Sequence, residues 1–246
     1  MGVVAVIPAR YASSRFPGKL LARESGKYLI QHVYEQVCQA QLLESVLIAT
    51  DDERIGKACE EFGASWQLTR TDHPSGTDRI AEAAAKLDAD IIVNVQGDEP
   101  EIDPANIDRL VECIYGDTVA DMATLAAIFG PGEDINNPNV VKVIVDQRGR
   151  AIYFSRHPIP YHRDEDGPRP VYRKHLGLYA YRRDTLLRLS ALAPTPLEQA
   201  EKLEQLRALE HGITIAVAEV EHESVGIDTP EQYDEFVKRH KKKVKR

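Results

Sequence analysis

An α/β fold on a mostly parallel central sheet is predicted by three observations. Residues 3–7 and 46–49 are unbroken apolar runs and 91–95 is a third run apolar but for Asn94, all short and rich in β-branched side chains, as strands buried on both faces are. Segments with helical periodicity separate them. The residues able to carry chemistry fall just past the ends of the first and third runs, where open α/β sheets collect ligands.

The first run stops at Pro8 and gives way to a loop dense in cations and hydroxyls: Arg10, Ser13, Ser14, Arg15, Gly18 and Lys19, with Pro17 restricting the backbone before the glycine. Small residues let main-chain N–H groups approach an anion, and three fixed cations neutralise a polyphosphate. The loop reads as a triphosphate clamp. Neither common phosphate motif is present: Leu20 follows Gly18-Lys19, no glycine stands five positions before Gly18, and GxGxxG is absent.

Residues 28–40 place Leu29, Ile30, Val33 and Val37 on one helical face. After the second run, Thr50 and Glu53 form a capping-box pattern opening a helix over 51–62. Asp51, at the end of that strand, suits a helix cap as well as a nucleotide contact and stays outside the site set. Ser75, Gly76, Thr77, Asp78 and Arg79 lead into a helix over 78–87, and small hydroxyl residues at a helix start suit carbonyl or phosphate oxygens.

The third run leads directly into Gln96-Gly97-Asp98-Glu99-Pro100. A carboxylate there is a candidate metal ligand, and Gly97 lets the backbone turn Asp98 toward the clamp. Magnesium favours one or two carboxylates plus phosphate oxygens, which matches this loop. Asp103 is the better cap for the helix after Pro104. The acids of Asp88-Ala89-Asp90 precede their strand, which puts them at the opposite edge of the sheet as surface charges.

From Asp121 the pattern becomes strands over 122–128, 140–146 and 151–154, with a turn at 147–149, a meander extending the sheet. Residues 156–173 hold Pro158, Pro160, Pro168 and Pro170, a loop long enough for a lid or a dimer contact. Over 175–181, His175, Gly177, Tyr179 and Tyr181 alternate with Leu176, Leu178 and Ala180, so the polar face should line a site. Residues 196–210 read as one helix, with Leu203, Leu206 and Leu209 inward and Glu201, Glu204 and Gln205 on or beside the other face. Near the end, Asp228 with Glu231 fits a capping box, and so does Thr229 with Gln232. The second choice puts Pro230 at the first helical position and frees Asp228 to meet Asp98 across one cation.

With 246 residues the chain is expected to be one domain, 1–246, with an extension over 121–182 and a basic tail over 238–246. The net charge is −8, yet seven of the 31 Lys and Arg lie in the last nine residues, leaving 24 against 39 acids elsewhere. Such an acidic body does not attract nucleic acid, so an anionic substrate must be drawn by a local basic cleft. The tail reads as a solvated chain end. Cys38, Cys59 and Cys113 are widely spaced and lack CxxC spacing, which suggests buried or half-buried thiols without a disulfide in a reducing compartment. No apolar run reaches membrane-spanning length and no leader pattern is present, so a cytoplasmic protein is expected.

The clamp string IPARYASSRFPGK, together with TDHPSGTDR, NVQGDEP, NPNVVKV, YFSR, KHLGLYAYR, PLEQAEKLEQLRALEHG and GIDTPEQ, resembles the sugar-acid cytidylyltransferases nearly end to end. Within them it is most similar to the branch acting on 3-deoxy-manno-octulosonate (Kdo). Leu20 stands where that family usually has proline, and His157 where a small residue is common. The resemblance implies a Rossmann-like, glycosyltransferase A-type nucleotidyltransferase fold in three layers. It implies transfer of CMP from CTP to Kdo with release of pyrophosphate, in the service of lipopolysaccharide synthesis. Arg10, Ser13 and Lys19 would meet the triphosphate, Ser75, Gly76, Arg79 and Gln96 the rest of the nucleotide, and Asp98 and Asp228 a magnesium ion. A second magnesium would ride on triphosphate oxygens. Arg156 would grip the sugar carboxylate, with Gln96, His175, Tyr179, Glu204 and Gln205 reading the hydroxyls. A homodimer is also implied. Another ulosonic acid such as 8-amino-Kdo, a sugar-nucleotide glycosyltransferase, and a non-catalytic module of the same fold are the competing readings; retention of Lys19, Asp98 and Asp228 argues against the last.

Overall fold

Val3–Ala9 forms β1, and the strands of the first unit are assembled around it. β2 (Ser45–Thr50) runs parallel on one side and β4 (Ile91–Asn94) parallel on the other, while β3 (Trp66–Leu68) extends β2, giving the order β3-β2-β1-β4. The computed structural model describes residues 2–13, 15–164 and 166–244, so Ser14 of the clamp and residues 245 and 246 of the tail lie outside the described residues. Chain contacts divide the protein into two units, residues 1–108 with 224–246 and residues 109–223.

In the first unit α1 (Leu29–Val37) buries Leu29, Ile30 and Val33 as its periodicity requires. α2 (Glu53–Glu61) is capped by Asp52, whose carboxylate accepts from Arg54 N. This corrects the expected Thr50–Glu53 box: Asp52 is the last extended residue before the helix, and its short side chain reaches the free N–H two residues on. α3 (Gly76–Ala84) starts two residues earlier than the sequence suggested, because Ser75 Oγ caps it by accepting from Asp78 N at 3.2 Å. α4 (Pro104–Gly116), within which the division of the chain into units falls, follows Asp103, which accepts from Ala105 N as expected. The chain winds outward from β1 to β3 and then returns to the far side of β1 for β4. Strand order therefore reverses between β1 and β4, and their carboxyl ends face one crevice.

The second unit centres on β5 (Met122–Ile128). Its ladder is non-sequential: β8 (Arg173–Arg182) pairs antiparallel on one side and β9 (Ile215–Glu219) parallel on the other. β6 (Lys142–Val145) and β7 (Ala151–Ser155) form a hairpin that meets β8 at Lys142. The expected meander is thus replaced. Only the 146–150 connection is tight, with Asp146 N and Gly149 N closing its turn, whereas the stretch after β5 is long and rich in Gly, Pro and Asn, and it carries the chain away from its neighbour.

α5 (Arg183–Ser190) leads to α6 (Pro196–Glu201) and α7 (Gln205–Glu210), which replace the single helix expected over 196–210. Lys202 adopts the left-handed conformation at φ 54° and ends α6. The break turns Gln205 inward, to 7% exposure, instead of leaving it beside a solvated face. Phe154, Leu178, Leu186 and Leu206 fill this unit's core. Pro230–Val244 forms α8 in the first unit, with Tyr233 and Phe236 buried. All three cysteines are free, and Cys38 is exposed at the end of α1 rather than buried.

Candidate active site

The crevice beyond β1 and β4 is a cleft of about 220 Å³ lined by Pro8, Arg10, Ser13, Arg15, Lys19, His73, Ser75, Gly76, Arg79, Gln96, Asp98 and Asp228, among others. The nucleotide-side and metal-side residues expected from sequence all lie on this one cleft within the first unit.

Asp98 is positioned by close backbone approach. A Cβ on Gly97 would lie 2.9 Å from the Pro8 carbonyl oxygen, so only glycine lets the loop after β4 pass so near the end of β1. Ile227 N donates to the Asp98 carbonyl at 2.9 Å, which brings residue 228 alongside. The ambiguity at the start of α8 resolves in favour of Thr229. Gln232 Oε1 accepts from Thr229 N at 3.0 Å and Gln232 N donates to Thr229 Oγ1 at 3.3 Å, with Pro230 at the first helical position. The Asp228 carboxylate is therefore left for the cleft.

Lys19 ties the two acids together. Its Nζ donates to Asp98 Oδ2 at 2.6 Å, to Asp228 Oδ1 at 3.3 Å and to the Ile227 carbonyl at 2.7 Å, and its side chain is 10% exposed. Arg15 also reaches Asp228 Oδ1 at 2.9 Å, a contact the sequence reading did not anticipate. Arg10 is exposed on the rim of the cleft. Next to Asp98, burial pushes the Glu99 carboxyl up to about 7 despite the bond donated by the Ser224 hydroxyl.

The clamp itself is anchored at both ends. Gly18, at φ +68°, donates its N–H to the Tyr11 carbonyl, and a Cβ there would meet the Tyr11 ring at 3.2 Å. The Arg54 guanidinium covers that ring at 3.4 Å while bound at both ends to Asp52. Phe16 packs against Tyr233 of α8 at 5.8 Å.

On the α3 side, Ser75 is occupied in capping and donates to Asp78 at 2.7 Å. Arg79 is nearly dry at 4% exposure and donates to Asp51 Oδ2 at 2.6 Å, Thr69 Oγ1 at 2.6 Å and the Arg70 carbonyl at 3.3 Å. Asp51 is thus neither the cap nor a bystander: it is the counter-ion of a site arginine. His73, inside the quoted TDHPSGTDR string, lines the cleft with Nε2 against Glu82 and was missing from the expected site set. Its own string held the signal, a ring between two turn residues at the mouth of a helix.

Of the residues expected on the sugar side, Gln96 lines the cleft of the first unit, and the others lie in the second unit. His175, Tyr179 and Tyr181 do share a face of β8, with ring centroids 5.4 and 5.8 Å apart in sequence. Burial pushes His175 down to about 3, so it is a neutral hydrogen-bonding group with Nε2 2.9 Å from Thr124 Oγ1. Burial, followed by Tyr181 and Glu204, raises the Tyr179 hydroxyl well above its usual range. Arg156 departs from the free fork that a carboxylate grip requires. Its Nε donates to the Glu201 carbonyl at 2.7 Å and Nη1 to the Pro138 carbonyl at 2.8 Å, with Nη2 3.4 Å from the Lys202 carbonyl. A bidentate hold on a ligand would exchange these bonds. Glu201 is also tethered, accepting from Ser155 Oγ and Arg156 N.

The family model for cytidylyltransferases matches residues 4–215. The chain belongs to the cytidylyltransferase family. It is 50% identical to the 3-deoxy-manno-octulosonate cytidylyltransferase of Geobacter metallireducens, over 97% of this chain and 98% of that one. It is 53% identical to the enzyme of the same name from Pelobacter propionicus, over 97% and 96%. Among solved structures it superimposes on a CMP:2-keto-3-deoxy-manno-octonic acid synthetase complexed with CTP, with a TM-score of 0.94, 44% identity and coverage of 99% and 100%. A glucose-1-phosphate thymidylyltransferase of Bacillus anthracis matches at a TM-score of 0.67 with 18% identity, a likeness of fold alone. The fold is accordingly the α/β nucleotidyltransferase fold with a mostly parallel central sheet.

Among the described residues no three His, Cys, Asp or Glu side chains gather as a ready metal cage. The donor set that converges, Asp98 and Asp228, suits a small hard cation that completes its shell with phosphate oxygens and water. No helix among the described residues is long and apolar enough to cross a membrane.

Proposed function

We propose that this cytidylyltransferase joins CTP and Kdo to give CMP-Kdo and pyrophosphate. The observation that carries the reading is the meeting of Lys19, Asp98 and Asp228 in one cleft at the point where strand order reverses. Arg10, Arg15 and Lys19 supply the positive charge that a triphosphate demands, and fixed donors of this kind stabilise charge developing on the α-phosphate and the leaving pyrophosphate. Asp98 and Asp228 would hold magnesium. When bound, the ion withdraws charge from the α-phosphate and lowers the pKa of the sugar's anomeric hydroxyl. The anomeric oxygen bonds to the α-phosphorus, the bond to the bridging oxygen breaks, pyrophosphate leaves with the electron pair, and the hydroxyl proton is released. A second magnesium would be carried by the triphosphate.

His73, Gly76 and the Arg79–Asp51 pair frame the nucleotide beside α3, with Ser13, Ser75 and Gln96 on the same cleft wall set. In the second unit, neutral His175, un-ionised Tyr179, Glu204 and Gln205 offer hydrogen bonds to sugar hydroxyls, and Arg156 takes the sugar carboxylate by trading its carbonyl partners. The enzyme is read as cytoplasmic and as a homodimer.

Pyrophosphate release is measured with CTP or UTP, each combined with Kdo, 8-amino-Kdo or a neuraminate. CTP with Kdo should be the fastest pair. Comparable turnover with UTP, or with a neuraminate, contradicts the assignment.

A further inference from the structure

Lys19 lies where its charge competes with a metal ion. We infer that Lys19 is the resident counter-ion of the Asp98–Asp228 pair and that it admits a divalent cation only in company with a triphosphate. The inference rests on the magnesium reading above.

A lysine ammonium has three donor hydrogens. Here they face Asp98 Oδ2, the Ile227 carbonyl and Asp228 Oδ1, and the side chain is only 10% exposed. A bare divalent ion seeking the same two carboxylates would sit at bonding distance from this cation. Like charges so close repel, and although Asp98 and Asp228 are 28% and 43% exposed, the ammonium itself is only 10% exposed and has little water to screen it. Nor can the amine simply withdraw, since moving it out of reach of both acids leaves a nearly dry charge without an anion.

A triphosphate removes the conflict. Lys19 opens the short 3-10 turn Lys19–Leu21 directly after Gly18 of the clamp, so phosphate oxygens bound by the clamp become its new acceptors. The ammonium exchanges carboxylate for phosphate, and the carboxylates exchange ammonium for metal. Arg15, whose side chain is 64% exposed, can leave Asp228 for solvent and imposes no such condition. Lys19 thereby makes the cation site conditional on nucleotide, so that the free ion does not occupy the acids ahead of the substrate.

The test is a titration with Mn2+ followed by water-proton relaxation enhancement, which separates protein-bound ion from ion on free nucleotide. Wild type, Lys19→Met and Lys19→Gln are compared with and without CTP, no sugar being present; thermal melting shows which variants are folded, and Lys19→Gln keeps polar contact should Lys19→Met fail. Without nucleotide, the folded variant should bind Mn2+ at least about tenfold tighter than wild type, and adding Asp98→Asn should remove the gain. Wild type should bind tightly only with CTP. Equal affinities of wild type and variant without nucleotide overturn the inference while leaving the metal assignment intact. Absence of protein-bound Mn2+ in wild type even with CTP overturns both.

Discussion

Replacing Asp51 by alanine isolates a charge that the nucleotide cleft depends on. Arg79 is 4% exposed and Asp51's side chain 16%, and their closest atoms are 2.6 Å apart. Without the carboxylate, the guanidinium keeps only two neutral acceptors, Thr69 Oγ1 and the Arg70 carbonyl. Breaking a buried ion pair from one side costs about 3–5 kcal/mol, because the surviving charge is stranded. The remaining acceptors and the partial exposure of Asp51 place the expected cost at the lower end, about 3 kcal/mol. For a chain of this length each kcal/mol corresponds to about 2–4 °C, so melting should fall by about 6–12 °C. Arg79 also lines the cleft, so KM for CTP should rise more than kcat at saturating CTP falls. Urea titration, thermal melting and steady-state pyrophosphate release measure the three quantities. The double variant Asp51→Ala with Arg79→Met should regain part of the lost stability, since no unpaired charge is left. A cost under about 1 kcal/mol, or a double variant no more stable than Asp51→Ala, would refute the dependence of Arg79 on Asp51.

Gly18→Ala places a Cβ at a φ of +68° and 3.2 Å from the Tyr11 ring; it should cost about 1 kcal/mol and raise KM for CTP, and an unchanged KM would show that the clamp does not need this turn. His32 is held down at about 4 from an ordinary 6.5, first by burial and then by His240 and Lys27. The unfolded chain takes up this proton near pH 6.5 and the folded chain resists until about 4, so the stability involved is intact above 6.5 and is lost as pH falls toward 4. Urea midpoints between pH 7 and 4.5 should show that slope in wild type and a flatter one in His32→Gln; identical slopes would remove His32 as its source.

The strands that position the site were legible because burial on both faces leaves a continuous or nearly continuous apolar run. β1, β2 and β4 announce themselves in this way, and Asp98 could be picked out because it directly follows one of them. β3 and β9 were passed over: Trp66–Leu68 has only three residues, and Ile215–Glu219 alternates weakly beside alanines. Pairing was harder than existence. β5 takes β8 and β9 as neighbours, and nothing local in residues 122–128 records which distant segments supply its hydrogen bonds.

Single backbone conformations also escaped the pattern. The 196–210 periodicity continues through Lys202, yet one left-handed residue there splits the helix and buries Gln205. For the site, residue type and placement singled out Lys19 and Asp98, the family resemblance chose Asp228 between two capping patterns, and the folded chain brings the three side chains together. Partner choice did not follow: that Arg79 belongs to Asp51, Arg15 to Asp228 and Arg156 to three carbonyls depends on distances that only the folded chain sets.

The central claim is that acids at 98 and 228 serve one phosphoryl-transfer centre, and Asp98→Asn tests it most directly. The substitution keeps size and one oxygen to accept from Lys19 but removes the charge, and Asp228 remains as counter-ion, so the melting temperature should stay near that of wild type while pyrophosphate release from CTP and Kdo drops by at least about a hundredfold. Release within a fewfold of wild type, from a variant that melts normally, would contradict the account.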